Sequence, residues 1–275
     1  MSSSPRVIFL DIDGTYASHG EVPAAHAEAV RRVRAGGHRV LLCTGRARCA
    51  VTSLVESAPF DGLVCGAGAY AEVDGTVLYD HAFPREIADR SIDALMAHQA
   101  DMLVESTEAL YMLPAAARAM DERAARAKSN GEQASLWKDL IGARRVVEDL
   151  HGLNFGKVVT MSATAELSAI ASLIGPEVAA VETSIKDIGR GSGELYMAHV
   201  TKAVGVDAVL DHLGLTRADA VGAGDGPNDL EMLAAVGTAI GIEGGHPGVL
   251  AAADIVVPGP ENAGLVRAFA ELGLG

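Results

Sequence analysis

Basic side chains, aromatic rings and cysteine are all scarce in this sequence. Lys and Arg number 22 against 36 acidic residues, and the formal charge of -14 weighs against a nucleic-acid backbone or an anionic membrane as partner. Three cysteines, Cys43, Cys49 and Cys65, are odd in number and form no Cys-x-x-Cys pair, so neither a zinc site nor a disulfide framework is expected. A cysteine-phosphatase loop would need an arginine six residues after Cys43, and Cys49 stands there. The one tryptophan, Trp137, lies in an amphipathic stretch over 135–150 and reads as core. No HExxH and no GxxxxGK[ST] occurs, and neither Gly66-Ala67-Gly68 nor Gly222-Ala223-Gly224 completes a dinucleotide fingerprint. No apolar run is long enough for a bilayer, and the run at 7–10 is too short for a signal-peptide core. A cytoplasmic protein with no membrane partner is expected.

What is abundant is small and aliphatic, which suits helices packed closely on a parallel sheet: 49% of residues are hydrophobic and 31 are glycine. Short apolar runs at 7–10, 40–43, 63–65, 220–223 and 255–257 end in polar or glycine-rich turns, as strands buried on both faces do. Helical patterns at 24–35 and 202–213 alternate with them, the second stopped by Gly214. The expected class is α/β, a doubly wound parallel sheet. Over 83–190 the pattern changes to a helix at 84–99 and strand candidates at 102–105, 110–113, 157–161 and 178–182, none ending in an acidic turn. An inserted α/β cap domain is expected at 83–190, with residues 1–82 and 191–275 forming the catalytic core. The stretch 115–132 is left open between a lid helix and a loop.

Four pieces carry chemistry. Asp11-Ile12-Asp13-Gly14-Thr15 follows the first strand, at the edge where open α/β sheets bind ligands. There Asp11 can attack phosphorus and Asp13 can protonate the leaving oxygen, then activate water. The bland alternative is an acidic turn with Gly14 supplying an unusual backbone angle. Thr44-Gly45-Arg46 ends the second strand, where a hydroxyl and backbone amides opening a helix could seat phosphate, or Thr44 could simply cap that helix. Lys202 opens a helix and could neutralise a nucleophile and a phosphate, though a lone lysine is more often solvated. The segment 222–233 holds Asp225, Asn228 and Asp229 in a strand end, a tight turn and a helix start; oxygens of Asp225 and Asp11 would suit magnesium. Arriving in chain order at the ends of three strands and one helix start, the pieces argue jointly against a chance set of caps.

The set resembles the Cof-type branch of the haloacid dehalogenase superfamily, whose motifs read DxDGT, a Thr-Gly-Arg strand end, a Lys, and GDGxND before an apolar helix. The resemblance covers nearly all the core; in the cap it is one of size and position. It implies Asp11 as nucleophile and Asp13 as general acid and base. It implies Thr44, with Gly45, and Lys202 around the phosphate, and Asn228 nearby. It implies magnesium held by Asp11, the main-chain carbonyl of Asp13 and Asp225, supported by Asp229. Two departures bear on the substrate: Ala67-Gly68-Ala69 replaces the usual Asn-Gly-Ala turn, and 242–247 carries Glu243, two glycines and His246 in place of a Gly-Asn-Ala-like turn.

A magnesium-dependent phosphatase of a small phosphorylated metabolite, a sugar phosphate ahead of a cofactor phosphate, is the expected function. A phosphomutase or phosphotransferase, and a catalytically silent regulatory protein, are the alternatives. Intact Asp11, Asp13, Lys202 and Asp225 speak against silence. Oligomeric state is not legible.

Overall fold

The computed structural model describes residues 5–18, 20–129, 134–182 and 189–275. In chain order the first elements are β1 (Val7–Leu10), α1 (Ala24–Ala35), β2 (Arg39–Cys43), α2 (Thr52–Val55), β3 (Gly62–Cys65), β4 (Tyr70–Val73) and β5 (Thr76–Asp80). Then come α3 (Arg85–Ala97), β6 (Asp101–Glu105), β7 (Leu110–Met112), α4 (Pro114–Ser129), α5 (Ala134–Ala143), β8 (Arg144–Val146), β9 (Lys157–Ser162), α6 (Leu167–Ile174), β10 (Val178–Glu182) and β11 (Gly193–Met197). The chain closes with α7 (Lys202–Leu213), β12 (Ala220–Gly224), α8 (Leu230–Ala234), β13 (Thr238–Ile242), α9 (Pro247–Ala252), β14 (Ile255–Val257) and α10 (Gly264–Glu271). Two compact units divide these elements: Met1–Arg46, Val51–Tyr79 and Thr201–Gly275 form the first, Ala47–Ala50 and Asp80–Val200 the second.

The first unit is built on an eight-stranded sheet in the order β14-β13-β12-β1-β2-β3-β4-β5. From β14 to β3 neighbouring strands run parallel, and β4 joins antiparallel. The sheet therefore follows the expected class, with an antiparallel flank that its apolar runs did not reveal. Alternation along β1 and β2 explains why both faces are covered. Ile8, Leu10, Val40 and Leu42 pack with Val30 and Val33 of α1 and Leu265 and Phe269 of α10. Val7, Phe9, Leu41 and Cys43 pack with Val206 and Val209 of α7, Met232 of α8 and Val249 of α9. Period-two alternation places successive side chains on opposite faces, so each strand must be apolar throughout. The chain winds from β1 through β2 to β3 on one side and returns to β12 on the other. That makes the carboxyl end of β1 a topological switch point.

The second unit has a six-stranded sheet, β10-β11-β9-β6-β7-β8, antiparallel except for β7 with β8. Helix α6 packs on β10 and β11, and α3 lies against α6. Ala116, Ala117 and Met120 of α4 pack on Leu103, Leu110 and Met112, with Trp137 of α5 against the same cluster. The stretch expected as lid helix or loop is thus a packed helix as far as Ser129, and residues 130–132 lie outside the described residues. Strand β11 pairs with β9 and β10, which carries the second unit on to Val200, past the expected boundary at 190. Among the described residues no helix is long and apolar enough to cross a membrane.

Candidate active site

Strand β1 delivers Asp11 to the carboxyl edge of the first unit's sheet, where its N–H donates to the Ala223 carbonyl of β12 at 2.9 Å. The next residues turn sharply, and Gly14 takes φ +91°. A Cβ on Gly14 would stand 2.5 Å from Asp225 Oδ2, so glycine is what lets the two acidic turns meet. Thr15 closes the contact, its hydroxyl donating to Asp225 Oδ1 at 3.0 Å.

Lys202, the first residue of α7, is only 1% exposed. Its ammonium donates to Asp11 Oδ1 at 2.6 Å and to Asp229 Oδ1 at 2.5 Å. The other Asp229 oxygen accepts the N–H groups of Asp225 and Gly226 at 3.0 and 2.9 Å, so this buried carboxylate ties lysine to loop. Burial works against the charge on Lys202, yet Asp11 and Asp229 hold its pKa well above the ordinary lysine range. Burial first, then Asp229, raises the pKa of Asp11 well above the usual carboxylate range against the pull of Lys202. Burial likewise raises Asp225, opposed by its hydrogen bond from Thr15.

Asp11, Asp225 and Asp229 each offer an oxygen, all within 4.8 Å of one another. When all three carboxylates are ionised, one ammonium leaves two negative charges uncompensated in a largely buried place, which is why Asp11 and Asp225 resist ionising without a cation. An all-oxygen donor set with that deficit fits a hard divalent cation such as magnesium. Both Asp229 oxygens are already engaged, which suits it to a supporting place behind Asp11 and Asp225.

A second group gathers at the end of β2. Thr44 is buried, and its Oγ1 accepts the Arg46 N–H at 3.1 Å, which leaves the hydroxyl proton as a donor. The charges of Lys202, Asp229 and Asp11 all act on the Cys43 thiol one residue earlier, which burial pushes up to about 12. Asn228 is exposed, with its amide nitrogen 3.4 Å from where a Cβ on Gly45 would stand. The expectation that Thr44 and Gly45 open a helix is corrected: a 3-10 turn at Arg48–Ala50 and the one-turn α2 follow instead. Thr44 serves its own turn and no helix N-terminus.

Asp13 turns outward, its side chain 54% exposed, and both carboxylate oxygens accept from Arg46: Nε to Oδ2 at 2.8 Å and Nη2 to Oδ1 at 2.5 Å. Asp11, Asp225, Asp229 and Lys202 are thus joined by hydrogen bonds or a shared oxygen cluster, while Asp13, Thr44, Gly45 and Asn228 form the adjoining rim. Sequence reasoning assigned nothing to the side chains of Arg46 and Thr15. Each stands inside a quoted motif, so the available signal was a donor two residues from an acid or hydroxyl. His246, singled out for its position, uses its ring to accept the Gly248 N–H and cap α9, while its main-chain N–H holds the Asp225 carbonyl at 2.7 Å.

A doubly wound sheet with a buried lysine among three acids at its switch point defines a class of α/β enzyme sites. The family model for haloacid dehalogenase-like hydrolases matches residues 8–269, and the chain belongs to that family. It is 24% identical over 275 residues to the putative phosphatase YkrA of Bacillus subtilis (strain 168), covering 98% of each chain. It is also 24% identical over 288 residues to a putative bifunctional phosphatase/peptidyl-prolyl cis-trans isomerase of Streptococcus pyogenes, of which it spans 54%. Among solved structures it shares the fold of a haloacid dehalogenase subclass IIB sugar phosphatase, with a TM-score of 0.78 at 20% identity, covering 98% of this chain and 100% of that one.

Proposed function

We propose that the protein is a magnesium-dependent phosphatase of small phosphorylated metabolites, sugar phosphates first, working through an aspartyl phosphate on Asp11. The observation that carries this reading is the pairing of a buried Asp11 with Lys202 and Asp225 at the strand end, beside a half-exposed Asp13 on the same turn. Asp11, Asp225 and the main-chain carbonyl of Asp13 would hold the ion, with Asp229 in support. Bound there, magnesium would offset the charge of the phosphate dianion against the carboxylates it must approach.

The remaining work falls to the chain. The Lys202 ammonium, the Thr44 hydroxyl with the Gly45 backbone, and the Asn228 amide hold the phosphoryl oxygens. An Asp11 oxygen attacks phosphorus in line as the bond to the leaving alcohol breaks, and Asp13 gives that alcohol its proton. Asp13 then takes a proton from water as the water oxygen attacks phosphorus, and the Asp11 carboxylate is restored. Since none of these residues is assigned a contact with the carbon skeleton of the substrate, we assign selection of the organic group to the second unit, the cap expected at 83–190 and spanning Asp80–Val200. The three free cysteines, two of them buried, fit a reducing cytoplasmic setting.

Phosphate release from a panel of sugar, nucleotide and cofactor phosphates, with and without magnesium, tests the proposal. Wild type should turn over only with magnesium, and Asp11→Asn should lose activity by about 10³-fold or more while remaining folded. Equal turnover by the variant, or no turnover of any substrate with magnesium, would count against the hydrolase. Phosphate appearing on a second hydroxyl instead of in solution would point to transfer.

A further inference from the structure

We infer that Arg46 is a positioning residue for Asp13, holding its carboxylate as the base that activates water in the second half of the reaction; this rests on the phosphatase reading above. The geometry is asymmetric in a telling way. The Arg46 side chain is 11% exposed and the Asp13 side chain 54%, so the buried partner is the anchor and the exposed one is anchored. Arg46 is itself fixed through its backbone, its N–H bonded to Thr44 Oγ1 at 3.1 Å and its carbonyl accepting the Gly66 N–H at 2.8 Å. From that base the guanidinium makes a two-pronged contact, Nε to Oδ2 and Nη2 to Oδ1, which sets the plane of the carboxylate as well as its place.

A carboxylate on a solvent-facing turn would otherwise sample several rotamers, and a misplacement of the order of 1 Å is enough to cost about 100-fold in rate. Each oxygen accepts one N–H and keeps a second lone pair, so the held form can still take a proton. In the step concerned, the water oxygen bonds to phosphorus, the phosphorus–Asp11 oxygen bond breaks with its electron pair returning to Asp11, and the water proton passes to Asp13.

The test uses p-nitrophenyl phosphate with magnesium, because its leaving group departs without a proton and kcat/KM then reports only binding and attack by Asp11. Wild type, Arg46→Ala, Arg46→Lys, Asp13→Asn and the Arg46→Ala/Asp13→Asn double variant are compared, with melting temperatures to confirm folding. Arg46→Ala should lower kcat by about 10- to 100-fold and leave kcat/KM nearly unchanged, with Arg46→Lys recovering part of the loss. In the Asp13→Asn background, Arg46→Ala should cost nothing more, since its effect passes through the missing carboxylate. Losses that multiply in the double variant, or a kcat/KM that falls as far as kcat, would overturn the inference and make Arg46 a phosphate contact or a structural residue. Absence of magnesium-dependent turnover by the wild type would instead bring down the phosphatase reading, and this role with it.

Discussion

Ala67 stands at φ +55° in the turn after β3, a left-handed conformation that costs a residue with a Cβ about 1–2 kcal/mol and that asparagine or glycine adopts with less strain. Its N–H donates to the Thr44 carbonyl at 3.0 Å, so the strain is held in place by the site's own framework. Ala67→Asn should therefore raise the unfolding free energy by about 0.5–1 kcal/mol, read from the urea midpoint at constant slope. An unchanged or lower midpoint would mean that the turn relaxes the strain by other means. The same scale explains what the sequence disclosed about the site. Asp11, Asp13, Thr44, Gly45, Lys202, Asp225, Asn228 and Asp229 could be picked out because each sits at a strand end or helix start, where chemistry-bearing residue types are conspicuous. The pairing of Arg46 with Asp13 could not, because 33 positions separate them and arginine near an acid is common on any surface.

Elements locate these residues by close approaches that only some sequences permit. Gly68, at φ +104°, lies where a Cβ would be 1.9 Å from the Thr201 carbonyl oxygen, and that contact seats the start of α7 and hence Lys202. On the other face, His26 of α1 is buried and joins two segments. Its Nδ1 meets the Tyr16 carbonyl at 3.0 Å and its Nε2 accepts the Leu265 N–H of α10 at 3.2 Å, an arrangement that requires the neutral ring. Burial lowers its pKa below 6.5, against the pull of the Tyr16 carbonyl. The unfolded chain then takes up a proton near pH 6.5 that the folded chain refuses, so stability present above that pH is lost as pH falls through the folded value. His26→Gln can donate and accept in the same places without titrating. Denaturation at a series of pH values should give it a flatter acid limb than wild type, and parallel curves would show that His26 is not the group responsible. The end of α7, marked by Gly214, was legible to the residue. Strands β4, β5 and β13 were not picked out, although Asp74-Gly75, both at positive φ, links β4 to its neighbour β5 in a two-residue turn typical of a hairpin.

For the molecule as a whole, a formal charge of -14 sets the problem that the site must solve for an anionic substrate. Two uncompensated negative charges among Asp11, Asp225, Asp229 and Lys202 should make the folded chain a better ligand for magnesium than the unfolded one. Saturating magnesium should therefore raise the melting temperature, with about 2.7 kcal/mol of stabilisation at a hundredfold excess over Kd. Asp225→Asn should lose most of that rise. Equal shifts in both proteins would place the ion elsewhere on the acidic surface.

The sequence by itself determined the doubly wound class, since apolar runs broken by polar turns leave few other ways to bury both faces of each strand. It also determined which strand ends bear acids, because those motifs are local. Only the tertiary structure decided that Lys202 is buried between two carboxylates, that Thr44 serves its own turn, and that Asp13 is held by Arg46. These outcomes depend on sheet order and on approaches of 2–3 Å between segments as far as 191 residues apart, as between Asp11 and Lys202, which no local pattern encodes.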